Sequence, residues 1–237
     1  RDIAGAVGIK ESSIYNHFKC KQAIFDALVE ENSRLQSEQF ELQRLRELYQ
    51  LDQDYMQYEK IGARVIAKDS GDWFQVFRIN KGSADGVQVD ANVIAGGGLV
   101  GIVTDVGAHY ATVRSIIDDV SRVSGMAQQS GDTCIVSGDL TLFGEGRLRL
   151  SNIAENGDLK DGDRIVTSNI SSKFLPGILI GYAADITTDQ SRLTKSGYLI
   201  PAAHFDSLQE VLVITTLKEE EAPQESTENT EGAQTGA

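Results

Sequence analysis

The hydrophobic pattern changes character twice along the chain. Over residues 1–28, apolar side chains recur three and four positions apart, which predicts short helices. From 22 to 59 there is no Pro or Gly, and an apolar residue returns every seven positions, as in a long helix. Beyond Lys60 the apolar residues form short runs rich in Val and Ile, separated by Gly, Asn, Asp and Ser, which predicts strands. The pattern therefore predicts helices followed by a β-rich body.

The first segment has the layout of a helix-turn-helix. Gly8 falls between two helical runs, where a tight turn favours a residue that tolerates positive φ, and Glu11, Ser12 and Ser13 offer oxygens that can cap a second helix. Such a second helix enters the DNA major groove in helix-turn-helix proteins.

The stretch IAGAVGIKESSIYNHFKCKQAIFDAL resembles the DNA-binding motif of TetR-family transcriptional regulators. The resemblance implies that Lys21 would meet a phosphate and that five residues would face the groove, namely Ser12, Ser13, Tyr15, Asn16 and His17. The alternative is that Tyr15 and Phe18 are core aromatics of a small helical bundle. The family's first helix does not precede Arg1, so we interpret 1–28 as a partial motif.

The seven-residue repeat predicts a coiled coil. One apolar seam is a feature of two-stranded, left-handed coils, in which a polar residue at the second seam position can fix register. That second position is mostly polar here. The alternative is one amphipathic helix packed on its own domain. Phe40 and Leu45 add apolar positions to a predicted dimer seam that consists of Leu28, Leu35, Leu42, Tyr49 and Met56.

The strand pattern of the body predicts a sandwich or barrel architecture. The clearest strands are predicted at 62–66, 73–79, 91–95, 99–106 and 111–117. The segment 84–94 is echoed by 156–166, and each is followed by a glycine-containing loop and a strand. We therefore predict two similar small β-barrels, the second with a longer loop at 168–176.

Motifs that suggest a nucleotide-binding or catalytic site do not have the sequence context such sites require. The run Gly96–Gly101 fits the GxGxxG pattern, but a strand is predicted after it, where a dinucleotide site needs a helix. A hairpin turn is the better interpretation. For a serine protease triad the chain has His109, Asp118, Asp119 and several Ser, but no nucleophile motif such as GxSxG or GDSG. Asp118 and Asp119 are adjacent, so their carboxylates would point to opposite faces of a strand. We predict no catalytic residue and no enzyme.

Cysteine and histidine are too few and too scattered for a metal site or a disulfide framework. Cys20 and Cys134 are the only cysteines, and the three histidines lack the spacing of zinc ligands. We predict no metal and no cofactor.

Charge and hydropathy limit the remaining possibilities. The net charge of −13 argues against a chain that coats nucleic acid along its whole length. Residues 218–237 carry one Lys and six Glu without an aromatic residue, so we predict a disordered, solubilising acidic tail. The sequence shows neither an apolar run of 18 residues nor a signal peptide, and it begins with Arg, which suggests a fragment or a processed product.

The body resembles the rod-shape-determining MreC family over about 30–214. The motifs that carry this resemblance are ARVI at 63–66, Trp73, INKGSADGV at 79–87, GLVG at 98–101, Ile117-Asp118 and PAAHFDSLQEVLV at 201–213. The resemblance implies a dimeric scaffold of the cell-elongation machinery, with two β-barrels at the extracytoplasmic face of the cell membrane. It implies as partners the membrane protein MreD, the peptidoglycan synthases and, through them, the MreB cytoskeleton.

Together these predictions divide the chain into four segments: a partial TetR-like helix-turn-helix at 1–28, a coiled-coil helix at 29–60, a mainly β, two-barrel domain at 61–217 and the acidic tail at 218–237. In the MreC family a membrane anchor would precede the coil, where this chain has the helix-turn-helix. We predict a non-enzymatic scaffold of peptidoglycan synthesis and cell shape. The alternative is a cytoplasmic, DNA-binding regulator with an atypical β-rich C-terminal domain.

Overall fold

The computed structural model describes residues 21–68, 75–188, 193–206 and 208–218. The described chain is mainly β, with one long helix followed by twelve strands. The strands form two closed barrels of six strands each, as the sequence predicts. The contacts between residues divide the chain into two compact units, with the boundary between Asp54 and Tyr55.

Helix α1 spans Lys21–Asp54, a stretch of 34 residues without Pro or Gly. Its Glu, Gln, Leu and Arg residues have high helix propensity. Arg34 forms ion pairs with Glu31 at 2.6 Å and Glu38 at 3.1 Å, at the i, i+3 and i, i+4 spacings that place side chains together on a helix. The predicted helix extends to 59, but α1 ends at Asp54 and a turn follows.

The first barrel combines the beginning and the end of the described β-rich chain. Its strands are β1 (Lys60–Lys68), β2 (Val76–Ile79), β3 (Asn92–Ala95), β4 (Gly98–Val106), β5 (Ala111–Ser115) and β12 (Glu210–Ile214). They close in the order β1-β12-β3-β4-β5-β2, and all neighbours are antiparallel.

The second barrel is formed by the chain between β5 and β12. Its strands are β6 (Arg122–Ala127), β7 (Thr133–Ser137), β8 (Leu148–Ala154), β9 (Arg164–Thr167), β10 (Leu179–Thr188) and β11 (Thr194–Pro201). They close in the order β10-β11-β8-β7-β6-β9, and a one-turn helix α2 (Leu140–Phe143) precedes β8. The second barrel is therefore an insertion in the first, which β12 completes by pairing with both β1 and β3.

Each barrel core comes from side chains that alternate along the strands. In β5 and β6 every second residue is buried, which is the period of two that a strand with one inward face requires. The inward residues are mainly Val, Ile and Leu, such as Ile79, Val113 and Val213 in the first barrel and Leu148, Ile165 and Leu199 in the second. Closure leaves neither sheet with a free edge.

The two similar segments of the sequence lead into equivalent hairpins, one in each barrel. The segment 84–94 leads into β3 and β4, and 156–166 leads into β9 and β10. In the first hairpin Ala95 pairs with Gly98, so the loop is only Gly96 and Gly97, with φ of +55° and +94°. Two successive residues at positive φ are what a type I′ hairpin turn needs. The interpretation of this glycine run as a hairpin turn is confirmed.

One local prediction is wrong. Strand β5 ends at Ser115, so Asp118 and Asp119 lie in the turn after it and not in a strand. Asp118 Oδ1 accepts from the Val120 backbone N–H at 2.9 Å, and Asp119 Oδ1 accepts from that of Leu140 at 2.8 Å. Each carboxylate therefore fixes a turn by binding main chain.

Candidate interaction surfaces

Helix α1 carries an exposed apolar stripe. Leu28, Leu35, Leu42 and Tyr49 lie seven residues apart, and each is between 45% and 67% exposed. A stripe with this repeat faces one side of the helix over three seven-residue intervals, about six helical turns. The fifth predicted seam residue, Met56, lies in the turn that follows α1, so the helical part of the seam has four members.

Phe40 does not belong to this stripe. It precedes Leu42 by two residues, which corresponds to about 200° around an α-helix, so it lies on the opposite side. Phe40 is 75% exposed. It therefore does not add to the stripe as the sequence interpretation assumed.

The predicted DNA-reading residues Ser12, Ser13, Tyr15, Asn16 and His17 lie outside the residues that the structure describes. Lys21 is the first residue of α1. The helix-turn-helix interpretation of 1–28 stays a prediction.

A second apolar surface lies on the outside of the second barrel, across β10 and β11. Tyr182 and Ile200 are direct cross-strand partners and are 41% and 48% exposed, while their neighbours Ala183 and Leu199 point into the core. The next outward pair is Ala184 with Tyr198. We call the outward side chains of Tyr182, Ala184, Tyr198 and Ile200 the Tyr182 face.

Arginine side chains surround the Tyr182 face. The Arg147 guanidinium lies 5.4 Å from the centre of the Tyr198 ring, and its Nη1 is 2.6 Å from Asp185 Oδ2. Stacking on the ring and pairing with a carboxylate hold this arginine in place. Strand register sets Arg149 beside Tyr198 and Arg164 beside Tyr182.

Arg149 is also fixed by an acidic partner. Its Nη2 donates to Asp139 Oδ2 at 2.9 Å, and this bond, with those from the backbone N–H groups of Leu142 and Thr141, holds the pKa of the Asp139 carboxyl below its ordinary value. Tyrosine and arginine are the residue types enriched in protein interfaces and their hot spots. The Tyr182 face therefore has the composition of a protein-binding surface.

The sequence carries a signal for this face in β10. In the run from Ile178 to Ile186, apolar residues occupy both the inward and the outward positions of β10. A solvated strand of an antiparallel barrel alternates apolar and polar residues, so apolar residues on both sides indicate an outer face that is covered by something.

The residues that could suggest metal or triad chemistry are placed as follows in the described part of the chain. No group of three or more His, Cys, Asp or Glu in them is placed to hold a metal ion. Asp118 and Asp119, the acidic residues considered for a triad, each bind main chain. An open groove of about 410 Å³ lies beside the end of β10, and its Lys195 and Asp161 already bond to Gly157 O and to the Ile186 N–H.

Cys134 is buried in β7, and it is the free thiol of the described part of the chain. Burial, with a smaller effect of the nearby Asp132 carboxylate, raises the pKa of the Cys134 thiol to about 12. The thiol is therefore protonated at neutral pH and poorly reactive.

Of the helices in the described ranges, none has the length and apolar composition that a membrane span needs.

Comparison with known proteins identifies the β-rich body. Residues 65–215 match the family model described as rod shape-determining protein MreC, barrel core. The cell shape-determining protein MreC of Listeria monocytogenes is 32% identical over 196 residues, which cover 78% of this chain and 65% of the relative. The chain thus spans slightly less than two thirds of that relative's length.

Solved structures have the same architecture. The MreC structure from Listeria monocytogenes is matched with a TM-score of 0.62 at 30% identity, over 85% of this chain and 97% of that one. A complex between penicillin-binding protein PBP2 and MreC from Helicobacter pylori is matched with a TM-score of 0.50 at 11% identity, over 67% of this chain and all of that one. The second likeness is one of fold alone.

Proposed function

The chain belongs to the MreC family of rod shape-determining proteins, and on that premise we propose that it is a non-enzymatic scaffold of the cell-elongation machinery. In this role it dimerises through α1 and holds a peptidoglycan synthase against its barrels at the extracytoplasmic face of the membrane. MreD and, indirectly, the MreB cytoskeleton are the further partners that the family implies.

The exposed stripe of α1 supports dimerisation. Leu28, Leu35, Leu42 and Tyr49 recur at the coiled-coil spacing and leave about half or more of each side chain in solvent. Pairing with the same stripe of a second copy removes this apolar area from water, which is the main favourable term in such association.

The observation that carries the partner-binding proposal is the Tyr182 face. A pair of large apolar side chains, Tyr182 and Ile200, faces solvent in a barrel whose core is already complete. Arg147, Arg149 and Arg164 border it, so the surface has the composition of a binding hot spot. The Helicobacter pylori homologue forms a complex with PBP2, and we propose a partner of the same class for this chain.

A binding titration tests the proposal. The purified chain is titrated against the elongation-specific penicillin-binding protein of the same bacterium, with Tyr182→Asp as the test and Tyr110→Asp as the matched control. Tyr110 is a tyrosine of the first barrel with nearly the same exposure, 43% against 41%, and it also lies against an arginine, Arg78.

Loss of a hot-spot tyrosine costs about 2 kcal/mol or more, so Tyr182→Asp should weaken Kd by roughly 30-fold. Tyr110→Asp should leave Kd unchanged. Equal effects of the two substitutions would refute the assignment of this face, and absence of binding by the unmodified chain would refute the partner.

A further inference from the structure

The connection from β9 to β10, residues 168–178, contacts the first barrel although it belongs to the second. We call it the strap. Two hydroxyls of the second barrel shape it: Thr167 Oγ1 donates to Leu175 O and accepts from the Ile178 N–H, and Ser171 Oγ accepts from the Phe174 N–H at 3.0 Å. The strap therefore has a defined backbone path without being a helix or a strand.

Asn92 of β3 binds the strap with both ends of its side-chain amide. Its Oδ1 accepts from the Leu175 N–H at 2.7 Å, and its Nδ2 donates to Lys173 O at 3.1 Å and to Asp90 O at 3.1 Å. Asn92 is completely buried in a strand that is buried at all four positions. An asparagine there is explained by its partners, because a buried amide without them would destabilise the fold.

Other side chains on the first-barrel side bind the same segment. The Tyr58 hydroxyl donates to Pro176 O at 2.7 Å, and the Tyr55 hydroxyl accepts from the N–H of Leu179, at the start of β10, at 3.0 Å. Both tyrosines lie just before β1.

A lysine and an ion pair complete the contacts. After β12, Lys218 Nζ donates to the carbonyl oxygens of Asn169 and Ser171. Lys173 of the strap pairs its Nζ with Asp90 Oδ1 at 3.0 Å. Apart from this exposed ion pair, each of these side chains contacts the strap or β10 through main-chain atoms of that segment.

The two barrels also approach closely beside the strap. A Cβ placed on Gly98 of β4 would lie 2.9 Å from Ala202 Cβ and 2.9 Å from Leu179 O, so only glycine fits there without displacement. This contact sets how closely the two barrels can pack together, but it does not prevent one barrel from rotating away from the other. The polar contacts to the strap supply that restraint.

We propose that the strap is a clasp that fixes the angle between the two barrels, and that Asn92 is its central positioning residue. The first barrel holds the second by its backbone, so the outer faces of both barrels keep one relative orientation. A partner that contacts both barrels then binds a preformed surface, so no conformational entropy is lost in ordering the two barrels on binding.

The test measures the distance between the barrels in the full chain. Spin labels are attached at Thr104→Cys in β4 and Thr187→Cys in β10, both exposed strand positions, in a Cys20→Ser background. Buried Cys134 stays in place because its raised pKa keeps the thiol unreactive. Labelled chain is diluted with an excess of unlabelled chain, so that pulsed electron spin resonance reports distances within one copy.

The decisive variant is Asn92→Ala, and Asn80→Ala is its matched control. Asn80 also accepts a backbone N–H through Oδ1 at 2.7 Å, from Arg64, but this bond lies within the first barrel. We expect one narrow distance in the unmodified chain and in Asn80→Ala. In Asn92→Ala we expect a broadened or second distance, and amide exchange at Leu175 that is faster by about tenfold or more, the factor that 1.4 kcal/mol corresponds to.

A folded Asn92→Ala chain that keeps the single narrow distance would overturn the proposal, even if Leu175 exchanges faster. Asn92→Ser, which leaves a small polar group in the site, replaces Asn92→Ala if circular dichroism shows that the alanine variant does not fold. A narrow, unshifted distance in that variant would overturn the proposal equally.

Discussion

Replacing Leu42 with Asp tests whether the stripe on α1 is a dimer seam. Leu42 lies near the middle of the stripe and is 49% exposed in the single chain. If two copies pair along the stripe, the exposed half of this side chain becomes buried in each copy. Aspartate in its place sets two carboxylates against each other at the centre of the seam.

The size of the effect follows from the exposed area. Complete burial of a leucine side chain contributes about 1.5 to 3 kcal/mol, so burying the exposed half contributes about 1 kcal/mol per copy and about 2 kcal/mol per dimer. Repulsion between two facing carboxylates about 4 Å apart in a water-like environment adds about 1 kcal/mol. The sum, about 3 kcal/mol, corresponds to a dimer Kd that is about 100-fold weaker.

Sedimentation equilibrium over a range of concentrations measures this Kd. Phe40→Asp is the matched control, because it makes the same kind of change in the same helix on the side away from the stripe. It should leave Kd within about threefold of the unmodified chain, since an exposed residue outside the seam loses no burial on pairing. Circular dichroism of both variants checks that α1 is still helical.

Two results would refute this reasoning. If Leu42→Asp and Phe40→Asp weaken the dimer equally, the stripe is not the seam. If the unmodified chain is a monomer at every concentration, α1 does not dimerise.

The remaining predictions concern the two barrel cores. Gly101→Ala should lower the free energy of unfolding in urea by about 3 kcal/mol, because the added Cβ would lie 2.1 Å from Arg114 O. The control Gly62→Ala, whose Cβ would have nothing within 4 Å, should change it by less than about 0.5 kcal/mol, and equal effects would contradict the packing of β4 against β5. For Cys134, the folded-state pKa of about 12 lies above the ordinary value of 9.0, so the unfolded chain releases the thiol proton first. The stability that this thiol contributes is complete below pH 9 and is lost as pH rises towards 12. The difference in unfolding free energy between the unmodified chain and Cys134→Ala should therefore narrow over that range, and a constant difference would contradict the burial of the thiol.

The strands were predictable because their signals are local. Alternating Val and Ile residues bounded by Gly and Asp place β3, β4 and β5 close to the predicted ranges, and Gly96 and Gly97 indicate the turn between β3 and β4. The long helix was predictable for the same reason. Its end at Asp54 was not, because the amino-acid types at 55–59 do not exclude a helix.

The insertion of one barrel in the other was not predictable from local pattern. It depends on β12, which is separated by more than a hundred residues from both β1 and β3, and pairing at that distance leaves no periodicity in the sequence. Asn92 was missed for a related reason. It resembles a turn residue at the start of an apolar strand, and only the three-dimensional structure shows that its partners lie some eighty residues later in the strap.

The Tyr182 face was missed because a strand with apolar residues on both sides is also expected in a buried sheet. Only the closed barrel shows which of these side chains point outwards, and only the register brings Tyr182 and Ile200 together from separate strands.

We propose that this chain is a scaffold whose second barrel holds a peptidoglycan synthase. The most direct measurement is photo-crosslinking in growing cells, with a photoreactive amino acid at position 182 in one strain and at position 110 in another, followed by identification of the attached protein. We expect a penicillin-binding protein of the elongation machinery to be attached at 182 and not at 110. If no such protein is attached at position 182, or if the same protein is attached equally at both positions, the proposed role of the second barrel is contradicted.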